Sequence, residues 1–270
     1  MTEEKYSEDG VFIVARSISI GKLTTFGYNV SIELNGDFVI GDHSHIGDDV
    51  VLKGNNVTIG DHFYHSKGLR VGGGGKNGPK ANLTIGDRCT MHNNFINVCQ
   101  PVFIGHDVGL SEEVSIITHG YWQSVLEGYP RRFAGVTIGS GVIVGYRSVI
   151  LPGATIAANS VIGANSTVTK ALKTKGIYAG NPAKFIKPIE KPKNPQELAL
   201  AILRQYAMEA GRLGYDPNID LKFPEVTIDD FTVNLLTFDY MGEEDETTDH
   251  FRDFVRHWGI RIYTERPFSP

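Results

Sequence analysis

Residues 138–170, IGSGVIVGYRSVILPGATIAANSVIGANSTVTK, bring back an aliphatic side chain at every sixth place: Ile138, Val144, Ile150, Ile156, Ile162 and Val168. Four places after each of the first five stands a small residue: Val142, Ser148, Ala154, Ser160 and Ser166. Neither the period of an amphipathic helix nor the strict alternation of a lone strand produces this pattern. A six-residue period is the mark of a parallel β-helix, in which each hexad is one flat face of a coiled prism. The aliphatic residue and the small residue of each hexad are both expected to point inward.

The same rhythm extends upstream in looser form. An isoleucine followed by glycine recurs at Ile20, Ile40, Ile59, Ile85, Ile104 and Ile138, and Ile156-Ala157 closes the series. The intervals are 20, 19, 26, 19, 34 and 18 residues. Eighteen is one circuit of a triangular prism, and about seven coils follow. Two circuits are too long. The first excess holds Gly72 to Gly75 with Lys76, Gly78 and Pro79, and reads as a mobile loop; no helix start follows it to make a phosphate cradle. The second holds HGYWQSVLEGYPRRFAG, residues 119–135, an aromatic- and arginine-bearing loop of the kind that carries function on a rigid scaffold.

Bulk properties narrow the setting. A formal net charge of −5 and a pI near 6.0 leave no electrostatic footprint for nucleic acid. The polar start MTEEKYSEDG is unlike a secretory signal, and no apolar run reaches transmembrane length. Cys89 and Cys99 are too few for a disulfide framework or a four-thiolate metal site, and Cys89 falls in a small-residue slot, where a buried, inert thiol is expected. A cytoplasmic protein is the resulting expectation.

The domain reading is a lead-in over 1–19, the β-helix over 20–170, an extended Pro- and Lys-rich connector over 171–193, and a small α+β extension over 194–270. In that extension Asn194-Pro195 caps and starts a helix ended by Gly214, and alternating apolar residues over 226–240 predict strands. A second helix is expected over Asp249–Trp258 and a last strand over Ile260–Tyr263. The acidic run Glu243 to Glu246 reads as a solvated loop.

The in-register hexads, with the phrases ITHGYW, ILPG, ANSTVTK and AGNPAKFI, resemble the hexapeptide-repeat acyltransferases, in particular the galactoside, maltose and polysaccharide O-acetyltransferases. The resemblance is close over 85–187, holds at the level of the repeat over 20–84, and hardly extends to 190–270. It implies an all-β, left-handed parallel β-helix, a homotrimer with active sites between subunits, and acetyl-CoA as acyl donor with no metal. His119 then matches the catalytic histidine. A sugar hydroxyl is a poor nucleophile at neutral pH, and an imidazole titrating near 6.5 can take its proton as it attacks the thioester. Asn97, in FINVC, matches an acceptor-binding asparagine and is expected to open its hexad in an aliphatic slot. Tyr146, Ala164, Thr169 and Lys170 match the coenzyme A groove, and Lys184 and Lys187 add cations for its phosphates. Trp122, Arg131 and Arg132 are assigned to the acceptor, the arginines suiting an acidic or phosphorylated one.

Two departures bear on the acceptor. Ile143 stands where relatives often carry tryptophan, and the acceptor-binding N-terminal helix of the galactoside and maltose enzymes has no counterpart. The implied function is an O-acetyltransferase acting on a sugar or polysaccharide hydroxyl. Alternatives are an N-acyltransferase acting on an amino sugar or sugar nucleotide, a metal-dependent β-helix hydratase using His43, His45, His62, His65 or His92, and a non-catalytic trimeric scaffold.

Overall fold

Each coil is short because its corners are tight. Three places after the isoleucine of each coil the backbone turns left-handed, at Leu23, His43, His62, Arg88, Asp107, Gly141 and Asn159. One such residue turns the chain sharply from one face to the next, and asparagine, aspartate and glycine tolerate it best. The residue after the isoleucine meets the next coil: a Cβ added to Gly139 would lie 2.6 Å from the backbone nitrogen of Ala158. Coils can stack at that corner only where this side chain is absent or minimal.

A computed structural model describes residues 3–266 and divides at 189/190 into two units. In the first, the chain winds over three parallel sheets and forms a left-handed parallel β-helix. Face 1 runs from Val11–Ala15 through Val30–Leu34, Val50–Gly54, Arg70–Gly72, Phe95–Asn97, Ser115–Ile116 and Val149–Ile150 to Thr167–Val168. Face 2 runs from Ser17–Ile20 to Thr155–Ile156, and face 3 from Thr25–Phe26 to Ile177–Ala179. Left-handed parallel crossovers are the rare exception among β folds.

The column is longer than the repeat indicates. It begins at Val11 rather than Ile20, since Ile13 and Ala15 are fully buried and Val11–Val14 pair along face 1. It also takes in the expected connector: Leu172 bridges to Ile156, and Ile177–Ala179 joins face 3. Antiparallel strands cover both ends, Glu4–Glu8 on face 1 and Lys184–Lys187 on face 3. Such strands use up the free edge hydrogen bonds on which another chain would otherwise add.

The interior follows the hexads. Ile138, Val144, Ile150, Ile156, Ile162 and Val168 are at most 1% exposed, as are the small residues Val142, Ser148, Ala154, Ser160 and Ser166. Between faces 2 and 3 the corners form a polar ladder. Asp42 Oδ1 accepts the Lys22 N–H at 2.7 Å, Asp61 Oδ1 the Asp42 N–H at 2.8 Å, and Asp87 Oδ1 the Asp61 N–H at 3.0 Å. His43 and His62 stack here with ring centroids 5.0 Å apart. Among the described residues no three His, Cys, Asp or Glu side chains gather as a metal site.

The second unit packs two helices and a four-stranded antiparallel sheet around a core of its own. Helix α1, Pro195–Leu213, has Asn194 as N-cap and Gly214, left-handed at φ 88°, as C-cap. Helix α2, Glu246–Arg256, starts earlier than expected because the acidic run supplies its cap. Asp245 Oδ1 accepts the Thr248 N–H at 2.9 Å, while Glu244 pairs at 3.0 Å with the buried Arg252. Residues 260–263 form no strand, although Ile262 is buried in the core.

Candidate active site

Face 1 and face 2 meet at one edge, and the three consecutive strands Arg70–Gly72, Phe95–Asn97 and Ser115–Ile116 all deliver the chain to it. The glycine loop leaves after the first, the long loop after the third, and Asn97 ends the strand between them. The two breaks in rhythm, far apart in sequence, therefore emerge one coil on either side of Asn97.

Asn97 does not occupy the aliphatic slot. Ile96 pairs with Val71 and Ile116 and takes the inward position, so the step from Met91 is five residues rather than six. The Asn97 side chain is nevertheless buried, 2% exposed, and every polar atom on it is used. Its Nδ2 donates to the carbonyls of Gly72 at 2.9 Å and Gly74 at 3.1 Å. Its Oδ1 faces the N–H groups of Thr118 at 3.3 Å and Cys99 at 3.4 Å, and accepts from Thr118 Oγ1 at 2.6 Å. Carbonyls only accept and amide N–H groups only donate, so the carboxamide has one workable orientation.

His119 Nδ1 lies 2.8 Å from that same Oδ1. An oxygen already facing donors requires a proton on Nδ1, which leaves the lone pair of neutral imidazole on Nε2. Nε2 has no hydrogen-bond partner among the described residues and lies beside the glycine loop: a Cβ added to Gly74 would sit 3.0 Å from it. The ring is held from the other side by a short hairpin that pairs His119 with Phe133. The Phe133 and Tyr121 ring centroids lie 5.6 and 5.7 Å from that of His119.

Two cavities open along this edge, and His119 lines one of them. One, of about 650 Å³, is lined by His119, Tyr121, Trp122, Arg132, Leu151 and Thr169 among others. The second, of about 550 Å³, lies under the glycine loop and reaches Cys99, Gln100 and Phe133. Trp122 is 91% exposed on the long loop. Arg131 places its guanidinium 4.4 Å from the Phe133 ring centroid.

Residues 135–170 match the family model described as bacterial transferase hexapeptide (six repeats). Protein CapG of Staphylococcus aureus is 37% identical over 123 residues, a stretch covering 41% of this chain and 69% of CapG. The chain belongs to the bacterial hexapeptide transferase family. Galactoside O-acetyltransferase of Escherichia coli K12 is 33% identical over 137 residues, or 50% of this chain and 56% of that enzyme. A probable macrolide acetyltransferase of Lysinibacillus sphaericus is 46% identical over 70 residues, 24% of this chain and 38% of that protein. The chain thus spans little more than half the length of these last two relatives at most.

Within this hexapeptide transferase the expected site residues fall on different edges of the prism. His119, Asn97, Trp122, Arg132 and Thr169 collect where faces 1 and 2 meet, and Lys170 follows Thr169 there, exposed. Tyr146 and Ala164 stand where faces 3 and 1 meet, on successive coils. The Tyr146 hydroxyl donates to Glu113 at 3.1 Å; partial burial and that carboxylate push its phenol up. The Arg147 guanidinium, 2.6 Å from Glu113, holds the carboxyl below its ordinary range. Lys184 and Lys187 are exposed on the strand that closes face 3. Gly74, Thr118 and Phe133 take places around His119 that spacing alone does not reveal. Thr118 alone has a signal in the chain, its position immediately before the histidine.

Proposed function

We propose that this protein is an acetyl-CoA-dependent O-acetyltransferase whose general base is His119 and whose acceptor is a hydroxyl of a sugar or polysaccharide. The observation that carries the reading is the bond from His119 Nδ1–H to Asn97 Oδ1, which leaves the lone pair of Nε2 available to a substrate. The names of the relatives, a galactoside O-acetyltransferase and a macrolide acetyltransferase, support the same chemistry.

In this mechanism Nε2 takes the proton of the acceptor hydroxyl as its oxygen bonds to the thioester carbonyl carbon. The imidazolium that forms keeps its Nδ1–H on Asn97 Oδ1, so no reorientation is needed at the moment of transfer. Collapse of the tetrahedral adduct breaks the C–S bond, and the departing thiolate recovers the proton from Nε2. The products are an acetyl ester and free coenzyme A.

Thr169 and Lys170 would hold the coenzyme on the His119 edge, with Lys184 and Lys187 supplying charge for its phosphates. Tyr146 and Ala164 can join them only if a second subunit brings its own face 3–face 1 edge against this one. A homotrimer with sites between neighbouring prisms satisfies that requirement. Trp122, Arg131 and Arg132 then border the acceptor from the long loop. Asn97, with its polar atoms fully engaged, serves as a positioning residue for His119 rather than as a contact to the acceptor. Two free thiols are in keeping with a cytoplasmic location.

The test is release of coenzyme A thiol from acetyl-CoA in the presence of paired hydroxy and amino sugars. His119→Ala should cut turnover by about 10² to 10⁴, and sedimentation equilibrium should give three chains per particle. Full activity in H119A would end the proposal. Turnover with amino sugars alone would convert it to N-acyl transfer.

A further inference from the structure

The glycine loop is ordered by its carbonyls. Those of Gly73 and Gly75 accept from Lys76 and Gly78, at 3.4 and 3.1 Å, and that of Pro79 accepts from Asn55 and Asn82 at 3.2 Å. The carbonyls of Gly72 and Gly74 are taken by Asn97. Its donors are not used in the same way. Among the described residues the N–H groups of Gly73, Gly74 and Gly75 have no protein acceptor. The backbone is left-handed at Gly73, φ 83°, and at Gly75, φ 81°, and a Cβ on Gly75 would collide with Cys99 Sγ. Glycine is thus required where the loop closes on the edge.

The cavity beneath this loop has two lysines in its wall, Lys76 and Lys80, and no carboxylate. Neither lysine forms an ion pair among the described residues. Phe133 is shared between this wall and the stack on His119, and it carries the Arg131 guanidinium 4.4 Å from its centroid. Unused backbone donors, two unpaired ammonium groups and a nearby guanidinium, with no opposing acid, form a pocket of one sign of charge. Gly74 is the partition between this pocket and the basic nitrogen of His119.

We propose that this pocket binds an anionic group of the acceptor, a carboxylate or a phosphate monoester, and so presents a hydroxyl of an acidic or phosphorylated sugar to His119. The proposal rests on the reading of His119 as the base for acyl transfer and names its acceptor class. The anion would be held by the Gly73–Gly75 amides with Lys76 and Lys80. Both cations are on the loop, so the loop and the charge it recognises are one device.

The experiment is a titration of the full chain, labelled with ¹⁵N-glycine, without acetyl-CoA. Glucuronate, glucose 6-phosphate and glucose are added in turn while the Gly73, Gly74 and Gly75 amide resonances are followed. The expected result is saturable movement of these resonances with one or both anionic sugars and none with glucose. Response to glucuronate alone or to the phosphate alone identifies the anion. Lys76→Gln with Lys80→Gln should weaken binding at least tenfold, with an unchanged thermal midpoint as the check on folding. Equal movement with glucose, no movement with either anion, or undiminished affinity in the double variant would overturn the proposal. No turnover is involved, so the pocket can fail while His119 stands as the base, and the activity of H119A tests that role separately.

Discussion

Residues 138–170 and residues 70–135 wind around the same three faces, yet they do opposite things with the edge between faces 1 and 2. In the first stretch the chain passes that edge in a few residues, at 151–154 and 169–171, and its polar groups go into coil-to-coil hydrogen bonds. In the second the same edge releases two loops, and the strand between them ends in a buried asparagine that touches both. A repetitive coil has identical neighbours above and below, so it buries apolar surface efficiently but offers no convergence of different groups. Chemistry needs unlike side chains at one point, and His119, Asn97 and the glycine loop converge where two coils depart from the repeat.

If that division is right, substitutions in the two stretches should fail in different ways. After loss of His119 itself, the largest effect on rate is expected from Asn97→Leu, which removes the acceptor for His119 Nδ1–H and the two donors to the glycine loop. Turnover should fall by roughly 10² to 10³, equivalent to about 3–4 kcal/mol of barrier. Asn97→Asp separates positioning from mere structure. A carboxylate beside the ring stabilises the imidazolium, so the acid limb of the pH–rate profile should move to higher pH by about one unit or more. An unmoved limb with a raised KM for the acceptor would instead make Asn97 a substrate contact.

Ile156→Ala, in the regular stretch, should cost about 2–4 kcal/mol of stability, because a fully buried side chain stacked between Ile138 and Leu172 leaves a cavity. Denaturant unfolding would show that loss, while turnover per folded molecule should stay near the native value. The comparison fails if I156A is instead inactive and fully stable.

A pH effect that develops gradually should come from the early coils. His65 is completely buried, its Nε2 accepts the Leu69 N–H at 3.1 Å, and its Nδ1 has no partner. Burial pushes it down to about 4. The folded chain keeps it neutral while the unfolded chain takes up a proton below about 6.5. Stability should therefore be intact above that pH and decline as pH falls from about 6.5 toward 4, by on the order of 3 kcal/mol in all. Thermal midpoints measured across this range should show a shallower decline in His65→Gln than in the native chain.

The smallest effect is a contrast of two thiols. Cys89 is fully buried, donates toward the Gly105 carbonyl at 3.1 Å, and is pushed up by burial to about 11, so it should resist alkylation at neutral pH. Cys99 is half-buried on the second cavity and should be the one modified, as mass mapping after brief iodoacetamide treatment would show.

Much of the scaffold is open to reading from the chain alone. Spacing places the inward residues, the two long intervals locate both loops, and Asn194 and Gly214 mark the ends of α1, because these signals are local and repeat. The extent of the column is not, since residues 11–15 and 172–187 carry no clean hexads and are recruited only by the free edges of the coils they cover. The acidic run before α2 reads as solvated because nothing in it reveals that Arg252 is buried nearby.

The site divides along the same line. His119 stands out by its phrase and by the loop it opens, and that much belongs to the sequence. That Asn97 sits beside the aliphatic slot, turns its oxygen to His119 and its nitrogen to Gly72 and Gly74, is decided by tertiary structure. The residues so joined are 22 to 25 apart in the chain. They meet because three successive coils stack in register, and only that stacking gives a side-chain amide a carbonyl on one side and an imidazole on the other.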